Sequence, residues 1–272
     1  MNATSFATVE LRIEGARAFI ELNRPEKRNA MSPQLHEDMH KALDAVEHSG
    51  EVRVLVITGR GDSFSAGMDL EEYILNNFNE PEAFIKTSDR ALSWMRRLKN
   101  FHGVTISAVN GWCVGGGMLV AGLCDLSIAA TDAQFGLSEI NFAIIPGAGL
   151  TWMIARHLSR KDALFYLLTG RLFDGEKAAQ IGLVNYAVPA KDLRDEVDQL
   201  SREIAAKNTH AADAIKRVYE RTTDMGFDEA VEWEMAKFFE LSYVTRQEWL
   251  DVALRQFAKR QFKPGKENYA PE

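Results

Sequence analysis

The chain has 272 residues, of which 46% are hydrophobic and 26% charged, and its formal net charge is −7. This length allows one large domain, or one domain with an appendage, and the composition is ordinary for a globular protein. The acidic balance argues against a general nucleic-acid-binding protein, although it leaves room for a local basic pocket that binds a phosphorylated ligand.

The first third of the chain alternates predicted strands with a predicted helix. Segments 8–13 and 18–22 alternate apolar and polar residues around Glu14-Gly15, which predicts a β-hairpin. Ser32-Pro33 supplies a helix N-cap and a first-turn proline, and apolar residues then recur on one helical face. The β-branched run 52–58 predicts a buried parallel strand that leads into a loop.

Short strands and helices continue to alternate through the middle of the chain. Asp69 is the expected cap of one helical segment, and Gly115-Gly116-Gly117 opens another. A capping box at Ser159 and Asp162 begins a helix that Gly170 ends. A further helix is predicted over 81–99, and strands over 105–109, 126–130 and 184–188.

The chain beyond Pro189 is predicted to be helical and carries many large apolar side chains. Such a small helical extension is expected to pack on something beyond itself, either another subunit or the core. Strand–helix alternation followed by helices predicts an α/β core over 1–190 and a helical region over 191–272.

The cysteines and the lengths of the apolar segments indicate the cellular compartment in which the protein is expected. Cys113 and Cys124 lack the spacing of a metal or redox pair and lie among apolar residues, as buried free thiols do. No segment resembles a secretion signal or reaches the length of a membrane span. We therefore expect a cytoplasmic protein with neither a nucleic-acid nor a membrane partner.

Two loops, 64–70 and 109–117, place small residues between a strand and a helix. Ligands of α/β proteins bind at such strand ends, and glycine lets a ligand approach the backbone closely. Side by side, the loops could each present one backbone N–H to the same oxygen, which would form an oxyanion hole. The alternative is that the glycines only permit tight packing of helix on strand.

His36, Glu37 and His40 spell HExxH on the first predicted helix, which is the signature of zinc proteases. Imidazoles four residues apart share a helix face and can bind a metal. Leu43 and Val46 break the longer form of the motif, and both histidines flank the apolar face. A zinc metallohydrolase is therefore an unfavoured alternative, and we expect no metal.

Several longer motifs, in this order, are similar to those of the crotonase (enoyl-CoA hydratase/isomerase) superfamily. They are NRPEKRNAM at 23–31, SAGMDL at 65–70, AVNGWCVGGG at 108–117, CD at 124–125, and FGLSEIN at 135–141 with Pro146-Gly147. The resemblance covers nearly the whole chain and implies a spiral of ββα units with a C-terminal helical oligomerisation region. It also implies homotrimers or dimers of trimers, an acyl-CoA thioester as substrate, and no cofactor besides the coenzyme A of that substrate.

The resemblance implies catalytic roles for three residues. The backbone N–H groups of Met68 and Gly116 would form the oxyanion hole, and Glu139 would be the general acid and base. The neighbours Leu137, Ile140 and Phe142 would raise the pKa of Glu139 toward a useful range if they packed around it.

Leu119 is the point at which this chain departs from two-acid hydratases, which carry a second glutamate there. Leucine cannot transfer a proton, so simple two-carboxylate hydration is in doubt. Enoyl-CoA isomerases and hydroxycinnamoyl-CoA hydratase-lyases, which rely on one carboxylate, are the alternatives. The residues of the motifs favour the hydratase-lyases, and Tyr73 lies where the hydratase-lyases place a substrate-contacting tyrosine. Against it, Leu119 replaces a serine and Met235 a second tyrosine.

The resemblance also implies further substrate contacts. Lys27 and Arg28 lie in the loop that meets the pantetheine and phosphates in relatives, and their charge suits a phosphate. Ala66 belongs to the first of the two small-residue loops, and Leu119 would line the acyl pocket. Phe257 and Arg260 would contribute from the C-terminal helices of the same or a neighbouring subunit.

Overall fold

Two sheets and the helices between them build most of the protein, and the computed structural model describes residues 2–76, 79–265 and 267–268. The strands are β1 (Asn2–Ser5), β2 (Val9–Glu14), β3 (Arg17–Leu22), β4 (Val54–Gly59), β5 (Ser63–Ser65), β6 (Val104–Val109), β7 (Trp112–Val114), β8 (Leu126–Ala130), β9 (Gln134–Gly136), β10 (Leu172–Asp174) and β11 (Tyr186–Val188). The helices are α1 (Pro33–Ser49), α2 (Pro81–Lys99), α3 (Gly116–Leu123), α4 (Leu150–His157), α5 (Arg160–Thr169), α6 (Gly175–Gln180), α7 (Leu193–Ala205), α8 (Thr209–Thr222), α9 (Phe227–Val244) and α10 (Leu254–Ala258). Short 3₁₀ helices cover Pro25–Lys27 and Ser138–Phe142, and π-helical turns cover Leu70–Leu75 and Trp249–Ala253.

The order of strands in the two sheets shows a repeating unit. The larger sheet runs β1-β2-β3-β4-β6-β8-β11, antiparallel up to β3 and parallel beyond it. The smaller sheet runs β10-β9-β7-β5, and only the β10–β9 pair is antiparallel. The pairs β4–β5, β6–β7 and β8–β9 each give one strand to each sheet before a helical segment follows. This is the spiral of ββα units that the resemblance implies.

The core forms where the apolar patterns predict it. The hairpin of β2 and β3 turns at Gly15, and β4 lies parallel between β3 and β6. Ser32 caps α1, since its side chain accepts a hydrogen bond from the Leu35 N–H at 3.2 Å. The apolar face of α1 is fully buried, and burial of each such side chain contributes about 1.5–3 kcal/mol. Its members include Leu35, Met39, Leu43 and Val46.

The two loops predicted from the sequence each contain all or part of a strand. β5 overlaps the start of the first predicted loop, β7 lies within the second, and the two strands pair in parallel. Each has three residues, which is too short to show an alternating pattern. The smaller sheet thereby holds together the two segments in which the sequence predicts the site.

The chain divides into two compact units, Met1–Arg202 and Glu203–Glu272. The division lies beyond the boundary expected at residue 190, because most of α7 belongs to the first unit. Arg17 on β3 bonds Asp198 Oδ1 at 2.6 Å and Ser201 Oγ at 3.0 Å, both on α7.

The second unit contains α8 and α9, which pack together, and α10. Large apolar side chains of this unit are exposed on the single chain, among them Phe227 at 82% and Tyr243 at 86%. Within the residues that the structure describes, no helix combines the length and the apolar character needed to cross a membrane.

Gly117 marks the closest packing of α3 on β5. A Cβ at this position would lie 2.4 Å from the Ser65 carbonyl oxygen, which is backbone and cannot move alone. We expect Gly117→Ala to lower the free energy of unfolding by about 1–3 kcal/mol, as overpacking does, measured by urea denaturation.

Gly147→Ala is the matched control, since a Cβ there would meet no atom within 4 Å. Its unfolding free energy should stay within about 1 kcal/mol of wild type. Equal losses in the two variants would show that the contact between α3 and β5 is not tight.

Candidate active site

The two glycine-bearing segments lie directly against each other. A Cβ on Gly67, whose φ is +84°, would lie 2.7 Å from the Val114 carbonyl oxygen and 3.0 Å from the Gly116 nitrogen. A Cβ on Gly116 would lie 3.6 Å from the Met68 nitrogen. Side chains at 67 and 116 would separate the segments, so glycine is required for this approach.

Met68 has a backbone N–H that is left unpaired by the local pairing. Met31 and Met68 form an isolated parallel bridge, in which the Met31 N–H donates to Gly67 O at 2.7 Å and the Asp69 N–H donates to Met31 O at 3.1 Å. Met31 makes both hydrogen bonds of this bridge, so the opposite residue, Met68, points its own N–H away from Met31. Among the described residues the Met68 N–H has no acceptor.

Gly116 provides a second backbone donor beside the first. It is the first residue of α3, and the first N–H groups of a helix have no intrahelical acceptor. The preceding Gly115 has φ 50° and ψ −120°, a conformation that strongly favours glycine. Two adjacent segments thus each offer one N–H, which is the arrangement that an oxyanion hole requires.

Glu139 lies on the short helix Ser138–Phe142, and its carboxylate reaches the glycine turn. A Cβ on Gly115 would lie 2.9 Å from Glu139 Oε1. Glu139 Oε2 is buried and has no hydrogen-bond partner among the described residues. Burial raises the pKa of Glu139, and a bond from its own backbone N–H opposes this shift. A half-buried carboxylate with one unpaired oxygen and a raised pKa is suited to general acid–base chemistry.

The three apolar neighbours of Glu139 differ in burial. Leu137 is buried, but Ile140 and Phe142 are 41% and 58% exposed on the single chain. The condition set for these neighbours, that they pack around Glu139, is thus met in burial only by Leu137.

Met31 is a site residue to which the sequence analysis gave no role. Its Cε would lie 2.4 Å from a Cβ on Gly116, so the thioether covers that glycine directly. Met31 lies in the NRPEKRNAM motif, but its contact with Gly116 and its bridge to Met68 show that it reaches the site.

Leu119, on the first turn of α3, is 2% exposed and donates its N–H to Gly115 O at 3.2 Å.

The Tyr73 side chain is buried and its hydroxyl already has a partner. The hydroxyl donates to Ser88 Oγ at 2.8 Å, and the ring makes edge contacts with His36 and Phe84. Burial raises the pKa of the Tyr73 hydroxyl, and the bond with Ser88 opposes the shift. A role in binding substrate stays a prediction.

The predicted coenzyme A contacts of the first unit lie in one loop. Lys27 is exposed and pairs with Glu71 at 3.1 Å, which raises the pKa of Lys27. The Arg28 guanidinium lies 5.1 Å from the centre of the Trp112 ring, and Arg28 O accepts a bond from the Ala66 N–H at 2.8 Å. These contacts join the basic loop to the strand ends.

Phe257 and Arg260 belong to the second unit, where Phe257 is 51% exposed and Arg260 follows the end of α10. Their predicted contacts with substrate stay predictions.

Both HExxH histidines are buried, and His40 Nδ1 lies 3.2 Å from Arg97 Nη1, whereas His36 Nε2 has no hydrogen-bond partner among the described residues. His36 Nδ1 accepts a bond from Trp94 Nε1 at 3.0 Å, and burial lowers the pKa of His36 to about 4. His40 Nε2 bonds Arg90 O at 3.0 Å, and Glu37 pairs with Arg90 at 2.8 Å. The described part of the chain contains no group of three or more His, Cys, Asp or Glu side chains that could hold a metal ion.

Burial of Glu139 has a consequence for stability that depends on pH. A carboxyl group whose pKa is raised on folding destabilises the folded state above its unfolded pKa, because the folded chain holds the proton more tightly. We expect Glu139→Gln to resist urea better than wild type at pH 7. This gain should shrink as the pH falls toward 4.5, the ordinary pKa of the group.

Glu37→Gln is the control of opposite sign, since the bond with Arg90 lowers the pKa of Glu37. That variant should be slightly less stable than wild type at pH 7. A Glu139→Gln protein that unfolds at the same urea concentration as wild type, at every pH, would contradict a desolvated carboxylate.

Comparisons with known proteins agree with this geometry. The sequence profile of the Enoyl-CoA hydratase/isomerase family matches residues 12–262. A hydroxycinnamoyl-CoA hydratase-lyase of Pseudomonas fluorescens is 38% identical over 96% of this chain and 96% of its own length. A short-chain-enoyl-CoA hydratase of Clostridium acetobutylicum is 30% identical over 85% of this chain and 88% of its own.

The fold is also that of a solved relative. The crystal structure of an enoyl-CoA hydratase subunit I from Geobacillus kaustophilus superposes with a TM-score of 0.85 at 31% identity, covering 97% of this chain and 99% of that one. The chain therefore has the crotonase fold and belongs to the enoyl-CoA hydratase/isomerase family.

Proposed function

We propose that the protein hydrates a hydroxycinnamoyl-type enoyl-CoA and then cleaves the product to an aromatic aldehyde and acetyl-CoA. The observation that carries this proposal is the Glu139 carboxylate, whose buried Oε2 has no partner among the described residues and whose Oε1 would lie 2.9 Å from a Cβ on Gly115. The relative from Pseudomonas fluorescens, named a hydroxycinnamoyl-CoA hydratase-lyase, supports the choice of substrate class.

The thioester carbonyl would be bound by the backbone N–H groups of Met68 and Gly116. Both steps build negative charge on this oxygen, and fixed donors in a site that excludes water stabilise that charge. Loss of one such donor typically raises the barrier by about 3–4 kcal/mol. Since the donors belong to the backbone, the side chain at 68 can be apolar.

Glu139 would transfer every proton in turn. As a base it takes a proton from the water that adds to Cβ, and as an acid it returns a proton to Cα, which completes hydration. It then takes the proton of the new β-hydroxyl, and the Cα–Cβ bond breaks with its electron pair moving into the thioester enolate. The aldehyde leaves, and Glu139 protonates the enolate at Cα to give acetyl-CoA. Its raised pKa suits both directions of transfer.

Leu119 is the reason to prefer a one-carboxylate reaction. Its buried side chain occupies the position of the second glutamate of two-acid hydratases and can neither hold nor activate water by proton transfer. The same observation favours the second candidate, an enoyl-CoA double-bond isomerase, in which one carboxylate moves a proton between two carbons.

The remaining contacts follow from charge and position. We propose that Lys27 and Arg28 bind the phosphates of coenzyme A and that Ala66, Leu119 and Tyr73 contact the substrate. Phe257 and Arg260 would add contacts from the C-terminal helices. Coenzyme A enters as part of the substrate, and no metal or other cofactor is proposed.

One assay panel tests this function. Feruloyl-CoA, crotonyl-CoA and a 3-enoyl-CoA are each offered to the wild type and to Glu139→Gln after treatment with a chelator. We expect wild type to release vanillin and acetyl-CoA from feruloyl-CoA in equal amounts. Glu139→Gln should lose at least about 100-fold of that rate, since it lacks the acid–base group.

Leu119→Ala is the control for the panel, because it keeps an apolar residue and leaves the carboxylate unchanged. It should keep more of the cleavage activity than Glu139→Gln does. Migration of the 3-enoyl double bond without release of aldehyde would decide for the isomerase. Vanillin release that survives in Glu139→Gln would overturn the mechanism.

We further propose that the chain assembles as a homotrimer or a dimer of trimers. The support comes from the large apolar side chains that are exposed on the second unit of the single chain. Exposure of so many apolar side chains to water is unfavourable and is typical of a protein–protein interface.

Sedimentation equilibrium tests the assembly. We expect a mass of three or six chains at micromolar concentration. Replacement of two exposed aromatics, Phe227→Ser with Tyr243→Ser, should shift the mass downward, because burial of such rings drives subunit association. A monomer for the wild-type protein would exclude the proposed assembly.

A further inference from the structure

We propose that Arg24 is a positioning residue that holds the Met68 N–H in the oxyanion hole. This inference rests on the proposed function, because it assigns a support to the same hole. Arg24 lies in the polar loop after β3, and the whole residue is 8% exposed. It does not itself belong to the set of residues proposed to touch the substrate.

The guanidinium of Arg24 ties together the two segments that form the Met31–Met68 bridge. One terminal nitrogen, Nη1, donates to Ala30 O at 2.7 Å and to Asp69 Oδ2 at 3.0 Å. The other, Nη2, donates to Glu72 Oε1 at 2.6 Å. Ala30 directly precedes Met31, and Asp69 directly follows Met68.

Asp69 transmits this restraint to the donor. Its backbone N–H closes the bridge to Met31 O at 3.1 Å, and its Oδ1 accepts bonds from the N–H groups of Glu71 and Glu72 at 3.1 and 3.0 Å. The Asp69 side chain is 5% exposed, so its negative charge is stabilised by these partners and by Arg24 rather than by water. The peptide that carries the Met68 N–H is therefore fixed from its C-terminal side.

A donor that moves by a fraction of an ångström loses much of its effect on the transition state. Misplacement by about 1 Å can lower the rate about 100-fold. Without Arg24, the Asp69 carboxylate would have to turn toward water, and the bridge at Met31 would loosen with it. The consequence falls on carbonyl polarisation rather than on coenzyme A binding, since the Arg24 side chain bonds the residues flanking the bridge and none of the residues proposed to bind coenzyme A.

Arg17 provides a matched comparison. It is buried to the same degree, at 9% exposure, and it pairs with Asp198 at 2.6 Å and Glu14 at 3.1 Å. None of these residues belongs to the two segments that carry the hole. Arg17→Met should thus lower stability as Arg24→Met does, without a specific effect on the bound carbonyl.

The test reads the bound carbonyl directly. The three proteins compared are Glu139→Gln, which cannot turn over, and the same background with Arg24→Met or Arg17→Met. Each is saturated with 4-(dimethylamino)cinnamoyl-CoA, whose absorption moves to longer wavelength when its thioester carbonyl is polarised. Circular dichroism confirms that each variant is folded at the assay temperature, and Arg24→Lys replaces Arg24→Met if the latter does not fold.

We expect Arg24→Met to lose at least half of the red shift while Arg17→Met keeps it. In the background with intact Glu139, Arg24→Met should lower kcat about 10- to 100-fold and change KM by less than about 3-fold. An equal shift in all three proteins would overturn the role of Arg24 and leave the proposed function standing. If the variant that carries only Glu139→Gln shows no red shift, the oxyanion hole itself is overturned, and the role of Arg24 with it.

Discussion

Contact between the backbones at residues 67–68 and 114–116 is the constraint on which the candidate site depends. A single Cβ at Gly67 would lie 2.7 Å from a carbonyl oxygen, which real structures do not tolerate. The parallel pairing of β5 and β7 brings the segments together, and the glycines let them touch. The N–H groups of Met68 and Gly116 thereby lie on adjacent backbone segments. A pair of candidate donors made of backbone thus follows from packing, with no polar side chain required.

The same close packing accounts for the electrostatics of Glu139. Its Oε1 approaches the glycine turn because Gly115 lacks a side chain, and burial raises the pKa of the carboxyl group. A charged oxygen that is buried without a partner, as Oε2 is among the described residues, destabilises the fold, and native proteins retain such groups where function needs them. The carboxylate and the two donors are therefore consequences of one arrangement rather than independent features.

Local patterns in the sequence predict much of this fold. The helix over 81–99 has the bounds expected, and Ser32, Ser159 and Gly170 act as the predicted caps. The smaller sheet is missed, because strands of three residues carry no usable alternation.

Local sequence patterns predict only part of the candidate site. The motifs indicate Glu139 and the glycine turn, whose proximity the structure shows. The exposure of Ile140 and Phe142 depends on which way a short helix turns, and sequence periodicity does not specify this for five residues. Met31 and Arg24 reach the site through contacts with residues more than 35 positions away. Such contacts are set by the topology of the two sheets, not by the local sequence.

Leu119 connects the packing with the choice of reaction. It lies on the same helix as Gly116, one turn from the donor, and its side chain is 2% exposed. Leucine can neither accept nor donate a proton, so Glu139 is the one carboxylate of the proposed acid–base site. The proposed hydration and carbon–carbon cleavage can be written as successive proton transfers to and from one group. A single carboxylate beside two backbone donors would therefore be sufficient for the proposed sequence.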